Sequence, residues 1–304
     1  MKMATTTSLG EKILFPGCVI PNRLPYIEAA SRKVLERLGY KLIDMDGASC
    51  CPDSIGMQAL DQKTWLAMGA RNLSIAEKAK KDIVSLCNGC TETLRSVNHF
   101  LNHDLHLYKE VNGILKGIGK EYRGTVDVRH VVAAIYQDVG PEKLRPLVQK
   151  PLTRIKIATH HGCHFNRPTH VIDPEGKLGP WDNPTLMDEM LEALGATVVD
   201  YDEKYLCCGY AVALADAAPA EKLDAQKFKS LIAAGADYLC VACPSCYLQL
   251  EGVQRTLKKD GKLERDIPVL YFTEFLALAL GFTPEEIGLN FHAVKPKELI
   301  EQLK

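Results

Sequence analysis

Ten of the chain's 11 cysteines stand in one pattern written twice. The first copy is Cys18, then the vicinal pair Cys50-Cys51, then Cys87-x-x-Cys90. The second is Cys163, then Cys207-Cys208, then Cys243-x-x-Cys246. A duplicated five-thiol order requires two equivalent structural units. Each must bring a single cysteine, a pair and a CxxC to one place. Thiol-rich sites of this kind hold soft metals or iron–sulfur clusters. The 304 residues suffice for two units of about 150 residues, each with its own core.

The rest of the composition narrows the compartment and the partners. A 46% apolar and 25% charged chain with net charge −1 is ordinarily globular. No basic stripe marks a nucleic-acid surface. No run of about 18 apolar residues could span a bilayer. The opening MKMATTTSLGEK has no apolar leader core. The expected location is therefore the cytoplasm, where thiols stay reduced or bind metal and a disulfide framework is not expected.

The repeat extends beyond the thiols. Each half opens with an apolar strand ending in Gly-Cys, at Ile13–Cys18 and Ile155–Cys163. An amphipathic helix closed by Leu-Gly follows, at Tyr26–Leu38 before Gly39 and Leu186–Leu194 before Gly195; these glycines suit C′ positions. Strands at Tyr40–Asp44 and Thr197–Tyr201 then lead to the vicinal pair. Long helices at Lys63–Lys80 and Ala220–Ala234 follow. Strands at Ile83–Leu86 and Tyr238–Ala242 run into the CxxC, which opens helices at Thr91–Leu101 and Tyr247–Leu257. Each half closes with a strand and an apolar helix, at Val126–Val139 and Pro268–Leu280, before Gly140 and Gly281. This alternation predicts an α/β fold of two tandem, pseudo-two-fold related domains, 1–145 and 146–304. Each is a small, mostly parallel sheet with flanking helices and a cysteine-rich cluster site. The linker lies near Gly140–Thr153, with Pro141, Pro146 and Pro151. Insertions distinguish the halves: Pro168–Trp181 in the second and Leu105–Lys120 in the first.

Every cysteine of the pattern falls where a strand ends or a helix begins, the edge at which α/β folds build sites. A CxxC at a helix start also offers N–H groups and a positive dipole end to thiolates. Five thiols exceed the four of a cubane or a structural zinc. The count leaves either a spare thiol or a cluster of non-cubane connectivity. Two zinc sites, a thioredoxin-like dithiol, and a mixed Cys/His site using His160-His161 are the competing readings. Cys240, aligned with Val84, reads as a buried strand cysteine.

The spacings C-x31-CC-x35-CxxC and C-x43-CC-x34-CxxC, with Cys207-Cys208-Gly209, resemble the duplicated cysteine-rich CCG motif. The segments Cys18-Val19-Ile20-Pro21-Asn22-Arg23, Cys50-Cys51-Pro52-Asp53, Leu86-Cys87-Asn88-Gly89-Cys90 and Gly162-Cys163-His164 are similar to the B subunit of heterodisulfide reductase of methanogenic archaea. The resemblance spans about residues 12–282. The 43-residue spacing is longer than the family's usual one and reads as a loop insertion.

The resemblance implies one non-cubane 4Fe-4S cluster per domain, on Cys18, Cys50, Cys51, Cys87 and Cys90 and on Cys163, Cys207, Cys208, Cys243 and Cys246. It implies a catalytic subunit that reduces the coenzyme M–coenzyme B disulfide to two thiols by one-electron steps. No catalytic residue beyond the cluster ligands is implied. The implied electron donors are a ferredoxin-like iron–sulfur protein, the C subunit, and a flavin protein, the A subunit, with a hydrogenase or formate dehydrogenase beyond. That substrate is anionic at both ends, so Asn22, Arg23, His161, His164 and Arg167, beside the cysteines, are its expected contacts. Their alternative role is in solvated loops or behind the cluster ligands. A CCG-type electron-transfer subunit of a thiol:fumarate reductase, a glycolate or lactate oxidase or a succinate dehydrogenase is the alternative function. A zinc-bound scaffold is a third.

Overall fold

A computed structural model describes residues 8–303. The opening segment 1–7, read above as leaderless, and Lys304 lie outside the described residues. The first half is built on β1 (Gly10–Phe15), β2 (Tyr40–Asp44), β3 (Ile83–Ser85) and β4 (Val128–His130). They form one sheet in the order β2-β1-β3-β4, every pairing parallel. Its helices are α1 (Pro25–Leu38), α2 (Gln62–Ala79), α3 (Asn88–His103), α4 (Leu105–Lys116) and α5 (Val131–Asp138). The second half repeats the order with β5 (Lys156–His160), β6 (Thr197–Val198), β7 (Tyr238–Val241) and β8 (Val269–Tyr271), again all parallel as β6-β5-β7-β8. Its helices are α6 (Leu186–Ala193), α7 (Ala217–Ala233), α8 (Pro244–Lys259) and α9 (Phe272–Ala279).

The inner strands β3 and β7 and the edge strand β8 are buried along their whole length. Unbroken apolar runs, rather than alternation, are what a parallel sheet covered on both faces needs. Cys240 sits inside β7 opposite Thr159 and Leu270 and is fully buried, as Val84 is in β3. It packs as a small apolar side chain, and burial pushes its thiol pKa up.

The two halves pack through helix pairs that the repeat relates to each other. α1 lies on α9, and its counterpart α6 lies on α5, the counterpart of α9. Ser31 and Thr273 share a buried 2.8 Å hydrogen bond at the first contact, and Tyr136 donates to Glu189 at 2.5 Å at the second. Residues after α9 return to the first half, where Phe291 stacks on Tyr26 at 6.4 Å and His292 lies 5.1 Å from the same ring.

Several boundaries differ from the sequence reading. α3 and α8 begin inside the CxxC, at Asn88 and Pro244, three residues before the predicted starts. Their N-caps, Cys87 and Cys243, offer no oxygen to the first turn, so the usual capping signal is absent. β6 stops at Val198; beyond it Tyr201 turns inward and donates to the Thr159 carbonyl at 3.2 Å. The excess after the first CxxC is a helix, α4. It is started by Asp104, which accepts from the His106 and Leu107 N–H groups. The predicted linker holds helical turns at Gly140–Leu144 and Arg145–Leu147.

Candidate metal centre

The ten patterned cysteines converge from six loops into one unbroken line of sulfurs. Cys18 and Cys50 lie 3.8 Å apart. The side-chain interactions then run from Cys50 to Cys51, Cys90, Cys87, Cys243, Cys246, Cys208, Cys207 and Cys163. The middle six are buried. Cys18 and Cys50 are exposed at one end, and Cys163 and Cys207 are partly exposed at the other. The two five-thiol sets therefore approach each other through Cys87 and Cys243, at the junction of the halves.

The local backbone explains this convergence. Cys87 and Cys243 are N-caps of α3 and α8 with nearly identical dihedrals, φ −139°/ψ 131° and φ −133°/ψ 130°. Each CxxC thus presents its sulfurs at a helix's positive end. Gly17 and Gly162 precede the single cysteines at φ +75° and +87°, where a side chain is disfavoured. A Cβ on Gly17 would lie 2.8 Å from the Cys90 sulfur. One on Gly162 would lie 2.6 Å from Asn88 Nδ2 and 3.5 Å from the Cys246 sulfur. Both turns need glycine to let the thiols approach.

Inter-half hydrogen bonds hold the junction. Asn88 Nδ2 donates to the His161 carbonyl at 2.6 Å, and the buried Tyr271 hydroxyl donates to the Leu86 carbonyl at 2.6 Å. The repeat places His130 where Tyr271 stands, with its ring near the Ala242 carbonyl, the counterpart of Leu86, but without a hydrogen bond to it. Burial lowers the His130 pKa to about 4.

Interactions along the line lower three thiols and raise their neighbours. Cys51 is drawn down to about 5 by interactions with Cys50 and Cys90, and Cys207 to about 2 by Cys163 and Cys208. Cys243 is also lowered, by Cys246 and Cys87. Their neighbours Cys18, Cys90, Cys163 and Cys246 are raised, first by the adjoining thiol and then by burial. Buried Lys227 lies close enough to Cys246 and Cys208 to feel both charges. Burial lowers its pKa to about 8, and its ammonium is held by the Glu203 carbonyl and the Tyr201 ring. Asp224 beside it is raised to about 7 by burial. In the first half Arg71 reaches Ser49 Oγ at 3.1 Å and the Gly47 carbonyl at 2.9 Å, next to the vicinal pair.

The five predicted substrate contacts occupy different settings. Asn22 donates to the Cys18 carbonyl at 2.7 Å and lines a cavity of about 370 Å³ with Cys18, Cys50, Arg32 and Ser49. Arg23 is exposed in the last turn of the short helix Val19–Arg23. His161 is buried; its Nε2 accepts from the Met187 N–H at 3.3 Å, and its ring meets Phe165 edge-on. His164 lies 3.9 Å from buried Glu92. Arg167 sits over the Trp181 ring at 5.9 Å, its Nε buried without a partner. It lines a small cavity beside Gly162 with His160, Lys204 and Tyr205. Sequence reading missed Lys204, which is buried and held by Asp188 at 2.6 Å, and the junction roles of Asn88, His130 and Tyr271. A Tyr-x-x-x-Tyr segment before the second pair carries no signal for a buried lysine.

The family described as "Cysteine-rich domain" (CCG) matches residues 13–95 and 157–251, one match per half. The chain is 38% identical over 292 residues to the B subunit of the ferredoxin/F(420)H(2)-dependent CoB-CoM heterodisulfide reductase of Methanosarcina acetivorans, covering 95% of this chain and 96% of the relative. The chain belongs to the family of heterodisulfide reductase B subunits. A protein of Archaeoglobus profundus described as similar to such B subunits is 37% identical over 90% of this chain and 92% of its own length. The "8-methylmenaquinol:fumarate reductase membrane anchor subunit" of Wolinella succinogenes is 30% identical over 95% and 99%. A hypothetical protein from Helicobacter pylori shares the fold, with TM-score 0.74 at 16% identity. The match covers 96% of this chain and 53% of that one. No described helix is long and apolar enough to cross a membrane. The iron–sulfur groups that membership of this family implies fit the donor set: five sulfurs per half, cations behind them, and helix N-termini beneath the CxxC pairs.

Proposed function

We propose that this chain is the catalytic iron–sulfur subunit of a heterodisulfide reductase that cleaves the coenzyme M–coenzyme B disulfide. Residues 1–145 hold one non-cubane 4Fe-4S cluster and residues 146–304 the other, through the ten cysteines of the sulfur line. The observation that carries this reading is the continuity of that line. Cleavage of one S–S bond takes two electrons and two protons and yields two thiols. When bound, the clusters supply those electrons singly. The chain's own residues set the geometry. Cys87 and Cys243 bring the two sets into contact, and the buried middle of the line excludes water. The exposed ends at Cys18/Cys50 and Cys163/Cys207 admit the substrate. Arg167 at one end and Asn22 at the other meet its anionic groups, with Arg23, His161 and His164 on the flanking turns, while Lys204 stays paired with Asp188. Electrons arrive from a ferredoxin-like C subunit, fed by a flavin-bearing A subunit, in the cytoplasm.

The resemblance to the Wolinella membrane anchor subunit supports a second reading, electron transfer with a quinol. Dye-linked assays of the anaerobically purified complex separate the two. The first reading expects reduced viologen to be oxidised by the heterodisulfide and about eight irons per chain. Oxidation by a menaquinone analogue alone would favour the second, and zinc in place of iron would overturn both.

A further inference from the structure

Three buried histidines surround the sulfur line, His130, His160 and His161, and each has one ring nitrogen without a hydrogen-bond partner. The partner of the other nitrogen fixes the tautomer. His130 Nδ1 accepts from the Val132 N–H at 3.2 Å, so its unpaired Nε2 carries the proton. His161 Nε2 accepts from the Met187 N–H, so its unpaired Nδ1 carries the proton. His160 is the reverse case. Its Nδ1 faces the Lys204 carbonyl at 3.4 Å, and a carbonyl can only accept. The proton therefore sits on Nδ1, and Nε2 keeps an unused lone pair. Of the three orphaned nitrogens, this one alone can donate an electron pair.

His160 also brings a ring nitrogen to within 4.8 Å of the Cys208 and Cys246 sulfurs. With Nδ1 engaged, Nε2 is the atom available to them. A ligating imidazole whose second nitrogen donates to a backbone carbonyl is a recurrent arrangement, because that bond fixes ring orientation and tautomer. Here the carbonyl belongs to Lys204, itself anchored by Asp188 at 2.6 Å. Burial, and then the nearby Lys227 ammonium, opposes a positive charge on the ring, which keeps the lone pair free.

We propose that His160 Nε2 is a sixth protein donor to the metal centre of the second half, bonded to iron beside Cys208 and Cys246. The second site then has five thiolates and one imidazole, and the first has five thiolates alone. The repeat sets Gly162 against Gly17, His161 against Pro16 and His160 against Phe15. Phe15 is fully buried and has no donor atom. The duplicated sites are therefore chemically unequal.

The inference rests on the reading of one cluster in each half, and the test separates the two. The complex is purified anaerobically with 15N-labelled histidine, poised where the second centre is paramagnetic, and examined by pulsed electron paramagnetic resonance. A strong 15N coupling, of the size given by directly bonded imidazole, is expected in the wild-type protein and in Cys51→Ser. It should be lost in Cys208→Ser and in His160→Phe, which installs the first half's residue. About eight irons per chain with only weak or no 15N coupling would overturn the histidine assignment and leave the two-cluster reading standing. An iron count near half that value in the wild-type protein would overturn both. The isotope experiment on the wild-type chain decides the question even if His160→Phe fails to fold.

Discussion

At the residue scale, close approach decides whether a sulfur reaches its place. Gly17 combines φ +75° with a Cβ position 2.8 Å from the Cys90 sulfur, whereas Gly47 has φ +78° and open space around it. The two positions separate backbone strain from steric exclusion. Gly17→Ala should lose about half of the iron, while Gly47→Ala should keep nearly all of it, although both are strained at a left-handed φ. Iron and sulfide determination on the purified variants checks this. Equal iron content in the two would show that the turn tolerates a side chain beside Cys90. The same proximity separates the two sites, since Phe15 lies against the first set and His160 against the second.

At the element scale, the junction depends on hydroxyl and imidazole groups at the ends of β4 and β8. The fully buried Tyr271 hydroxyl donates at 2.6 Å to the Leu86 carbonyl of the other half, so Tyr271→Phe leaves that carbonyl unpaired. A loss of about 1–3 kcal/mol in unfolding free energy is expected, read from denaturant titration. A second contact titrates. Buried His292 donates to Glu274 at 2.8 Å, and the segment that carries it packs on Tyr26 of α1. Burial opposes its charge, but Glu274 and then Glu251 outweigh this and raise its pKa above the ordinary 6.5. A raised folded-state value stabilises the fold fully below about 6.5, and that contribution is lost as pH rises through the folded value. The thermal midpoint should therefore fall across that interval, and His292→Gln should flatten the fall. A midpoint equally pH-dependent in the variant would assign the titration elsewhere. Much at this scale was legible in the sequence. The Gly-Cys strand ends, the Leu-Gly helix ends and the short apolar inner strands each carry a local signal, and β2 and the Leu38 helix end were read as they stand. The starts of α3 and α8 were not, because a cysteine N-cap gives no capping signal. Lys227 reads as one more lysine on an amphipathic helix. Its burial, like the Asn88–His161 and Tyr271–Leu86 contacts, follows from how the halves pack, which no local pattern encodes.

At the scale of the whole molecule, duplication yields one site rather than two separate ones. Each sheet carries five thiols to its own strand ends, and the helix pairs α1–α9 and α6–α5 bring those ends together at Cys87 and Cys243. If both sets serve one disulfide cleavage, neither half can work alone. The deciding measurement is heterodisulfide reduction by Cys51→Ser and, separately, by Cys208→Ser, each with its iron counted. Joint action predicts that each variant keeps about four irons, those of the untouched half, and loses nearly all turnover. A Cys51→Ser protein with half its iron and near-wild-type turnover would contradict it and make the first half a scaffold.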